Sequence, residues 1–218
     1  MNSYLDEHFP KLKIEKPLFY NWTIGLRFEI GQDELEVNDE YFNAAHERAV
    51  SIFEAVFSQK DEIEIIYQQY SDGRKKIRKS SFVFKQIEST KIGLAHYSDV
   101  RNIYELDYKS ECWKRVNIPN LSLNSIDYKN ILLSLIHTDF GCRSPSISGE
   151  CFFINKSKNI IVNLYDDRGM DVISASKNEL ISLYKSHNDW LLNYVRNKMN
   201  LVFSSSTIET PIVAGLKK

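Results

Sequence analysis

The chain has 218 residues, of which 43% are hydrophobic and 12% aromatic, so it can build a core and its composition excludes a disordered protein. Its formal net charge is −1, from 28 basic and 29 acidic residues, which gives no global electrostatic case for nucleic acid or for an anionic membrane. The sequence has no apolar run near the ~20 residues of a membrane span, no secretory signal and three widely spaced cysteines, and these features predict a cytoplasmic protein.

The N-terminal half predicts a mixture of helices and strands. Residues 2–10 have the apolar spacing of a short amphipathic helix. Apolar residues then alternate from Trp22 to Ile30, which predicts a strand with Arg27 and Glu29 together on its polar face. The other predicted elements are a helix from Asn38 or Asp39 to about Phe57, a strand at 62–67, a turn at 71–73, a strand-like segment at 82–84, and strands near 92–97 and 112–118, the last ending at Pro119.

The C-terminal half contains the clearest architecture, which runs from Cys151 to Met199. Three apolar runs separated by turn-forming residues predict three successive strands, and the middle run is apolar on both faces, as in a central strand. A long helix is predicted to begin at Ser176, because Glu179 follows three residues later in capping-box spacing. The predicted strands are 151–154, 160–165 and 170–173, with a tight turn at 166–169, and a further helix is predicted at 125–138.

These elements show no regular βαβ period, and hairpin-like pairs dominate. This pattern predicts an α+β fold, with an antiparallel or mixed β-sheet and helices packed mainly on one face. We expect a single domain over residues 1–203, because no linker rich in Gly, Ser or Pro interrupts it; a boundary near residue 120 is the alternative. Residues 204–218 are predicted to form a C-terminal tail or an extended arm.

Short motifs in both halves of the chain are specific enough to compare with known families. They are Phe19–Trp22 with Gly25, Arg27–Glu29 and Gly31, Arg48–Ala49, Ile52–Glu54 and Asp61–Ile63, followed by Phe152–Asn155, Tyr165–Gly169, Asp171–Ile173 and Asn188–Leu192. With these motifs the chain resembles DUF3885, a family of unknown function found mostly in Bacillus-type bacteria, over roughly residues 4–203. The resemblance implies a small cytoplasmic bacterial protein and no established activity. The layout is also similar to that of small immunity proteins of bacterial toxin systems, which is a likeness of fold alone.

The turn Tyr165-Asp166-Asp167-Arg168-Gly169 is the first candidate site. Its two adjacent carboxylates, together with Asp171, are suited to bind a hard cation through oxygen, or to act as an acid/base pair beside an anion-binding Arg168. Asp and Gly are equally the residues of a hairpin turn, in which Arg168 pairs with a neighbouring carboxylate. We prefer the structural interpretation because of this turn chemistry. Neighbouring strand residues point to opposite faces, so Asp166 and Asp167 converge on one ion only if the turn twists them together.

The polar face of the first predicted strand is the second candidate site. Arg27 and Glu29 are two residues apart and lie on the same side. With Arg168 and Asp171 they would form a charged pocket if that face lines a cleft. Because buried charges need partners, these residues would equally form a structural network of ion pairs that holds the strands together. We prefer this interpretation to a functional pocket.

Two charged segments each allow two interpretations. The basic run at 74–79 is suited either to bind phosphate or to keep a hairpin tip exposed. The acidic residues between 33 and 40 favour the start of a helix, and they would equally suit a basic partner, as in an inhibitor of a nuclease toxin. No histidine or cysteine spacing predicts a metal site, and no phosphate-loop or dinucleotide motif predicts a cofactor.

Two functional hypotheses follow from the sequence. The first is a non-enzymatic module that binds another protein, of the immunity or inhibitor type, with exposed aromatic residues at its interface. The second is a small hydrolase or phosphate-handling enzyme without a cofactor. Its catalytic residues would come from the set Asp166, Asp167, Arg168, Asp171, Arg27 and Glu29.

Overall fold

A computed structural model describes residues 3–32, 34–70, 76–78, 80–101 and 112–204. The strands are β1 (Gly25–Glu29), β2 (Ile63–Tyr70), β3 (His96–Arg101), β4 (Cys112–Leu121), β5 (Glu150–Asn155), β6 (Ile160–Leu164) and β7 (Gly169–Ser174). The α-helices are α1 (Ser3–His8), α2 (Asp39–Val56), α3 (Phe82–Lys85), α4 (Ser89–Ile92), α5 (Tyr128–Ile136), α6 (Asn178–Ser186) and α7 (Arg196–Phe203). Short 3-10 helices lie at Leu18–Tyr20, Leu123–Ser125, Asn188–Trp190 and Asn193–Val195.

The strands form one sheet in the order β1-β7-β6-β5-β2-β4-β3, and every pair in it is antiparallel. This confirms the predicted α+β class and selects the antiparallel alternative. Among the described residues, no helix combines the length and the apolar character needed to cross a bilayer.

The larger core lies between one face of the sheet and helices α2, α5 and α6. Helix α2 begins where predicted, because Oδ1 of Asn38 accepts hydrogen bonds from the backbone N–H groups of Glu40 and Tyr41 at 2.9 and 3.2 Å. Its apolar stripe is buried against the sheet and α5, and comprises Phe42, Ala45, Ala49, Ile52, Phe53 and Val56.

The opposite face of the sheet is covered by the N-terminal segment, residues 4–22. Phe9, Ile14 and Leu18 are buried there against the apolar side chains of the central strands. Gln68 and Arg115 fix this segment, since each donates a hydrogen bond to the carbonyl oxygen of Ile14, at 3.3 and 3.1 Å. The central strands β5 and β6 are therefore buried on both faces, which confirms the prediction made for β6 from its unbroken apolar run.

The prediction of one long helix from Ser176 to Met199 is wrong, both in where the helix begins and in how long it is. Helix α6 begins at Asn178 without a side-chain cap and ends at Ser186, and two 3-10 helices then lead into α7. The break has a physical reason at the edge of the sheet, where β1 has only β7 as a strand neighbour. Leu191 bridges to Phe28, and the N–H of Leu192 donates to the carbonyl oxygen of Arg27 at 2.9 Å.

Three smaller predictions also need correction. Residues 82–84 were predicted as strand-like but belong to the helical turn α3, in which Val83 and Phe84 are both buried. The prediction failed because a run of three apolar residues does not distinguish a helix from a strand. The strand predicted near 92–97 begins only at His96, after helix α4. Strand β4 continues past Pro119 to Leu121, where a shift of register relative to β2 accommodates the proline.

Some predictions lie outside the described residues. They are the turn at 71–73, the basic residues Arg74, Lys75 and Lys79, the acidic residue Asp33, and the tail from residue 205 onward.

Candidate functional site

The Tyr165–Gly169 segment connects β6 to β7 as a tight turn. The N–H of Tyr165 donates to the carbonyl oxygen of Gly169 at 3.2 Å, which closes the turn. The carbonyl oxygen of Arg168 accepts from the N–H of Ile30 at 3.0 Å, so the turn is also tied to the end of β1. The sequence therefore forms the hairpin turn that its Asp and Gly residues predicted.

Asp166 and Arg168 pair with each other within this turn. The backbone N–H of Arg168 donates to Oδ1 of Asp166 at 2.9 Å, and its Nε donates to Oδ2 at 3.1 Å, with a further bond from Nη2. This pairing raises the pKa of Arg168 above its ordinary value. The Arg168 side chain is 73% exposed and stays with Asp166, so neither residue joins Arg27.

Asp167 points away from this pair towards the start of α2. Its Oδ2 accepts a hydrogen bond of 2.6 Å from the hydroxyl of Tyr41. Burial raises the pKa of Asp167, whereas the Tyr41 hydrogen bond opposes that shift by stabilising the carboxylate. Asp166 and Asp167 thus bind different partners and do not converge on one ion.

Asp171 lies on the face of the sheet that the N-terminal segment covers, and it is fully buried. It stands directly opposite Arg27 in the β1–β7 register, with 3.6 Å between Oδ1 of Asp171 and Nε of Arg27. Its Oδ2 accepts a 3.0 Å hydrogen bond from the N–H of Phe19 in the N-terminal segment. Burial raises the pKa of Asp171 to about 6, although Arg27 and the backbone donors of Phe19 and Leu18 oppose the shift.

Arg27 is enclosed by aromatic rings as well as by Asp171. Its guanidinium carbon lies 5.2 Å from the ring centre of Tyr20 and 4.9 Å from that of Tyr165, both within the range of a cation–π contact. Burial opposes the charged form of Arg27, but Asp171 and Tyr165 raise its pKa above the ordinary value. The pKa of Tyr165 is raised to about 12, chiefly by burial and then by Asp171.

Because Gly169 has no side chain, the ring of Tyr165 can pack directly against its backbone. A Cβ atom at position 169 would lie 1.8 Å from the hydroxyl oxygen of Tyr165 and 2.4 Å from its Cζ. Each residue of the turn therefore has a structural contact in the described part of the chain. Tyr165 covers Gly169 and faces Arg27, Asp166 binds Arg168, and Asp167 binds Tyr41.

Five of the six predicted site residues consequently take part in three separate contacts. Arg27 and Asp171 come together, Asp166 pairs with Arg168, and Asp167 lies apart. Glu29 is half-buried and makes no ion pair with any described residue. Within the described ranges, no group of three or more His, Cys, Asp or Glu side chains is arranged to hold a metal ion.

Sequence reasoning did not identify the partners that complete these contacts. Tyr41 and Tyr20 were not predicted as site residues, and neither was Lys198, which contacts none of the six and lies with its Nζ 4.6 and 5.4 Å from the ring centres of Phe19 and Tyr20. Tyr20 lies within one of the family motifs, which was the signal available for it. Tyr41 and Lys198 are distant in the chain from the residues they contact, and spacing along one sequence carries no signal for such pairs.

An acidic surface lies at the start of α2, on the side of the molecule to which Asp167 points. Glu34, Glu36 and Glu40 are exposed there, and Val37 between them is 61% exposed. Asp39 belongs to the same segment and forms a 2.9 Å ion pair with Arg143. We call Glu34, Glu36, Val37 and Glu40 the acidic surface.

Comparison with known proteins adds the following relatives. The chain is 25% identical to the uncharacterized protein YnaE of Bacillus subtilis (strain 168) over 210 residues, which covers 88% of this chain and 96% of that protein. It is also 33% identical to the 3-isopropylmalate dehydratase small subunit of Buchnera aphidicola subsp. Rhopalosiphum padi, over 98 residues that cover 44% of this chain and 47% of that subunit. No solved structure matches the chain. The model of the family described as "Domain of unknown function (DUF3885)" matches residues 1–195, and the chain therefore belongs to the DUF3885 family.

Proposed function

We propose that this protein is a non-enzymatic, cytoplasmic module that binds another protein, as an immunity or inhibitor protein of a toxin or phage-conflict system does. The observation that carries the proposal is the separation of the three aspartates of the candidate site. Asp166, Asp167 and Asp171 each bind a different partner within the fold. An acid/base mechanism needs such groups to converge on one reacting atom.

The enzymatic alternative, a small hydrolase or phosphate-handling enzyme, would require these contacts to break. Asp166 would have to leave Arg168, and Asp167 would have to leave Tyr41, before both could reach a common substrate or cation. Asp171 would still face the N-terminal segment, which donates a hydrogen bond to it. The binding function needs no such rearrangement.

The acidic surface is the region that we assign to the partner. An exposed apolar side chain surrounded by charged groups has the composition of a small interface core with a polar rim. Its negative charge would attract a basic partner and accelerate association, as with the cationic nucleic-acid site of a nuclease toxin. The capped start of α2 holds this surface in a fixed geometry, because Asn38 bonds both Glu40 and Tyr41.

The test compares two charge reversals of equal size. Glu36→Lys/Glu40→Lys changes the acidic surface, whereas Asp6→Lys/Glu7→Lys changes two exposed acids of α1 and serves as the matched control. A partner is first captured from a lysate of the bacterium that encodes the chain, then purified and titrated against each folded variant by calorimetry. We expect Glu36→Lys/Glu40→Lys to weaken binding at least tenfold, the control to bind like the wild type, and Asp166→Ala/Asp167→Ala to retain the partner.

Two results would overturn the proposal. Equal binding by all variants would show that the acidic surface is not the interface. A hydrolytic activity of the wild type that is lost in folded Asp166→Ala/Asp167→Ala would assign the turn to catalysis instead.

A further inference from the structure

A cavity of about 250 Å³ lies where β2 ends and β4 begins, and none of its described lining residues belongs to the Tyr165–Gly169 turn or to the acidic surface. Its floor is formed by the ends of β2 and β4, and its walls by residues 76–78 and 80–82 and by the loop at 146–148. A single water molecule needs only about 10–15 Å³ of such space, so the cavity is large enough for a small solute.

Among the described residues that line this cavity, every charged side chain is basic. Lys76 and Arg78 are exposed at its mouth, and Lys114, which is 4% exposed, lies at its floor. None of the described residues that line it is an aspartate or a glutamate. A site of this charge favours an anion.

Hydrogen bonds hold the floor of the cavity in place. The hydroxyl of Tyr67 donates to the carbonyl oxygen of Ser148 at 2.8 Å. Gln69 donates to the same carbonyl oxygen at 3.1 Å and to the hydroxyl oxygen of Ser148 at 3.2 Å. The floor therefore needs little ordering when a ligand enters, which lowers the cost of binding.

Two hydroxyl groups remain as donors towards the cavity. The hydroxyl of Ser148 accepts from Gln69 and donates to no described acceptor, so its O–H can bind a ligand, and the exposed Ser80 likewise donates to no described acceptor. Ser146 differs, since its hydroxyl already donates to the carbonyl oxygen of His137 at 3.1 Å. Lysine and arginine add several N–H donors and no acceptor. The available groups thus donate hydrogen bonds and carry positive charge, as a tetrahedral oxyanion requires.

We propose that this cavity binds a phosphate group, as free phosphate or as a small phosphomonoester, through Lys76, Arg78 and the hydroxyls of Ser80 and Ser148. The volume suits a compact ligand, because pockets for larger organic ligands begin at about 300 Å³. This site is independent of the protein-binding function proposed above and uses none of the residues assigned to it.

The test titrates the full chain with inorganic phosphate and, separately, with glycerol phosphate, by calorimetry at low ionic strength. Lys76→Gln/Arg78→Gln removes both cations at the mouth. The matched control is Lys13→Gln/Lys60→Gln, which removes two exposed cations that do not line the cavity. A circular-dichroism melt confirms that each variant is folded, and Ser80→Asp is a third variant that adds a negative charge at the mouth without removing a cation.

We expect saturable binding of at least one of the two probes, weakened at least tenfold by Lys76→Gln/Arg78→Gln and by Ser80→Asp, and unchanged in the control. Binding of phosphate alone would identify the free ion as ligand, and binding of the ester would identify a phosphorylated small molecule. No saturable binding of either probe, or equal weakening in Lys13→Gln/Lys60→Gln, would overturn the proposal.

Discussion

The hydroxyl of Tyr41 lies 2.6 Å from Oδ2 of Asp167, so one hydrogen bond joins the first turn of α2 to the β6–β7 turn 126 residues later. Tyr41→Phe removes the donor and leaves a buried carboxylate without this bond. We expect the free energy of unfolding at neutral pH to fall by about 1–3 kcal/mol, as measured by urea denaturation. Tyr194→Phe is the control, because Tyr194 is 88% exposed.

The cost of Tyr41→Phe depends on pH in a definite direction. Tyr41 stabilises the charged form of Asp167, so its removal raises the pKa of Asp167 further. The carboxylate is protonated in acid, where the lost bond matters less, and the difference from wild type should shrink as the pH falls. A difference that stays the same from neutral to acidic pH would contradict this role of Tyr41.

Gly169 offers a second prediction, because the close approach of Tyr165 demands the absence of a side chain. Gly169→Ala forces the Tyr165 ring to move, and we expect a loss of at least about 2 kcal/mol in the free energy of unfolding. Gly141→Ala is the control, since a Cβ atom there would meet nothing within 4 Å. Tyr165→Leu should partly rescue Gly169→Ala in a double-mutant cycle, and additive effects would argue against the contact.

Asp171 provides a third prediction, on the pH dependence of stability. Burial raises its pKa from 3.8 to about 6, so between these pH values the folded protein holds a proton that the unfolded chain has released. Stability therefore falls as the pH rises through this window. The asparagine side chain of Asp171→Asn does not titrate. The free energy of unfolding of this variant, relative to that of the wild type, should therefore rise by roughly 2 kcal/mol from about pH 4 to about pH 7 and stay constant above that pH.

The measurement for Asp171 is a set of urea titrations across this pH range. Asp6→Asn, at an exposed position of α1, is the control and should follow the wild-type curve. Parallel curves for wild type and Asp171→Asn would show that Asp171 is ionised in the folded state throughout the range.

The sequence predicted the elements that local patterns specify. Alternation identified β1, an apolar stripe with Asn38 at its start identified α2, and the Asp-Gly composition identified the β6–β7 turn. The same patterns carry no information on partners far apart in the chain. The pairs Tyr41–Asp167 and Arg27–Asp171 depend on β7 lying between β1 and β6, and that strand order is fixed by tertiary packing.

The break in the helix after Ser186 is a second case in which the local pattern did not predict an effect of tertiary structure. Residues 176–199 have helical spacing of apolar side chains, yet the chain leaves the helix to cover the edge of β1. On the free edge of β1, the carbonyl oxygen of Arg27 accepts from the N–H of Leu192, a hydrogen bond that a continuous helix cannot supply. Local propensity was overridden by a hydrogen-bonding requirement that appears only once the sheet has formed.

Leu192 gives the last prediction, because its backbone already suits proline. Its φ is −59° and the preceding Leu191 is extended, so Leu192→Pro removes the N–H that donates to Arg27 without forcing a new conformation. We expect Leu192→Pro to be less stable by about 1 kcal/mol than Leu192→Ala, which loses the side chain but keeps the N–H. Hydrogen exchange should also show faster exchange in β1 of the proline variant, since its edge is then less protected. Equal stability and equal exchange in the two variants would mean that this hydrogen bond does not hold the segment on β1.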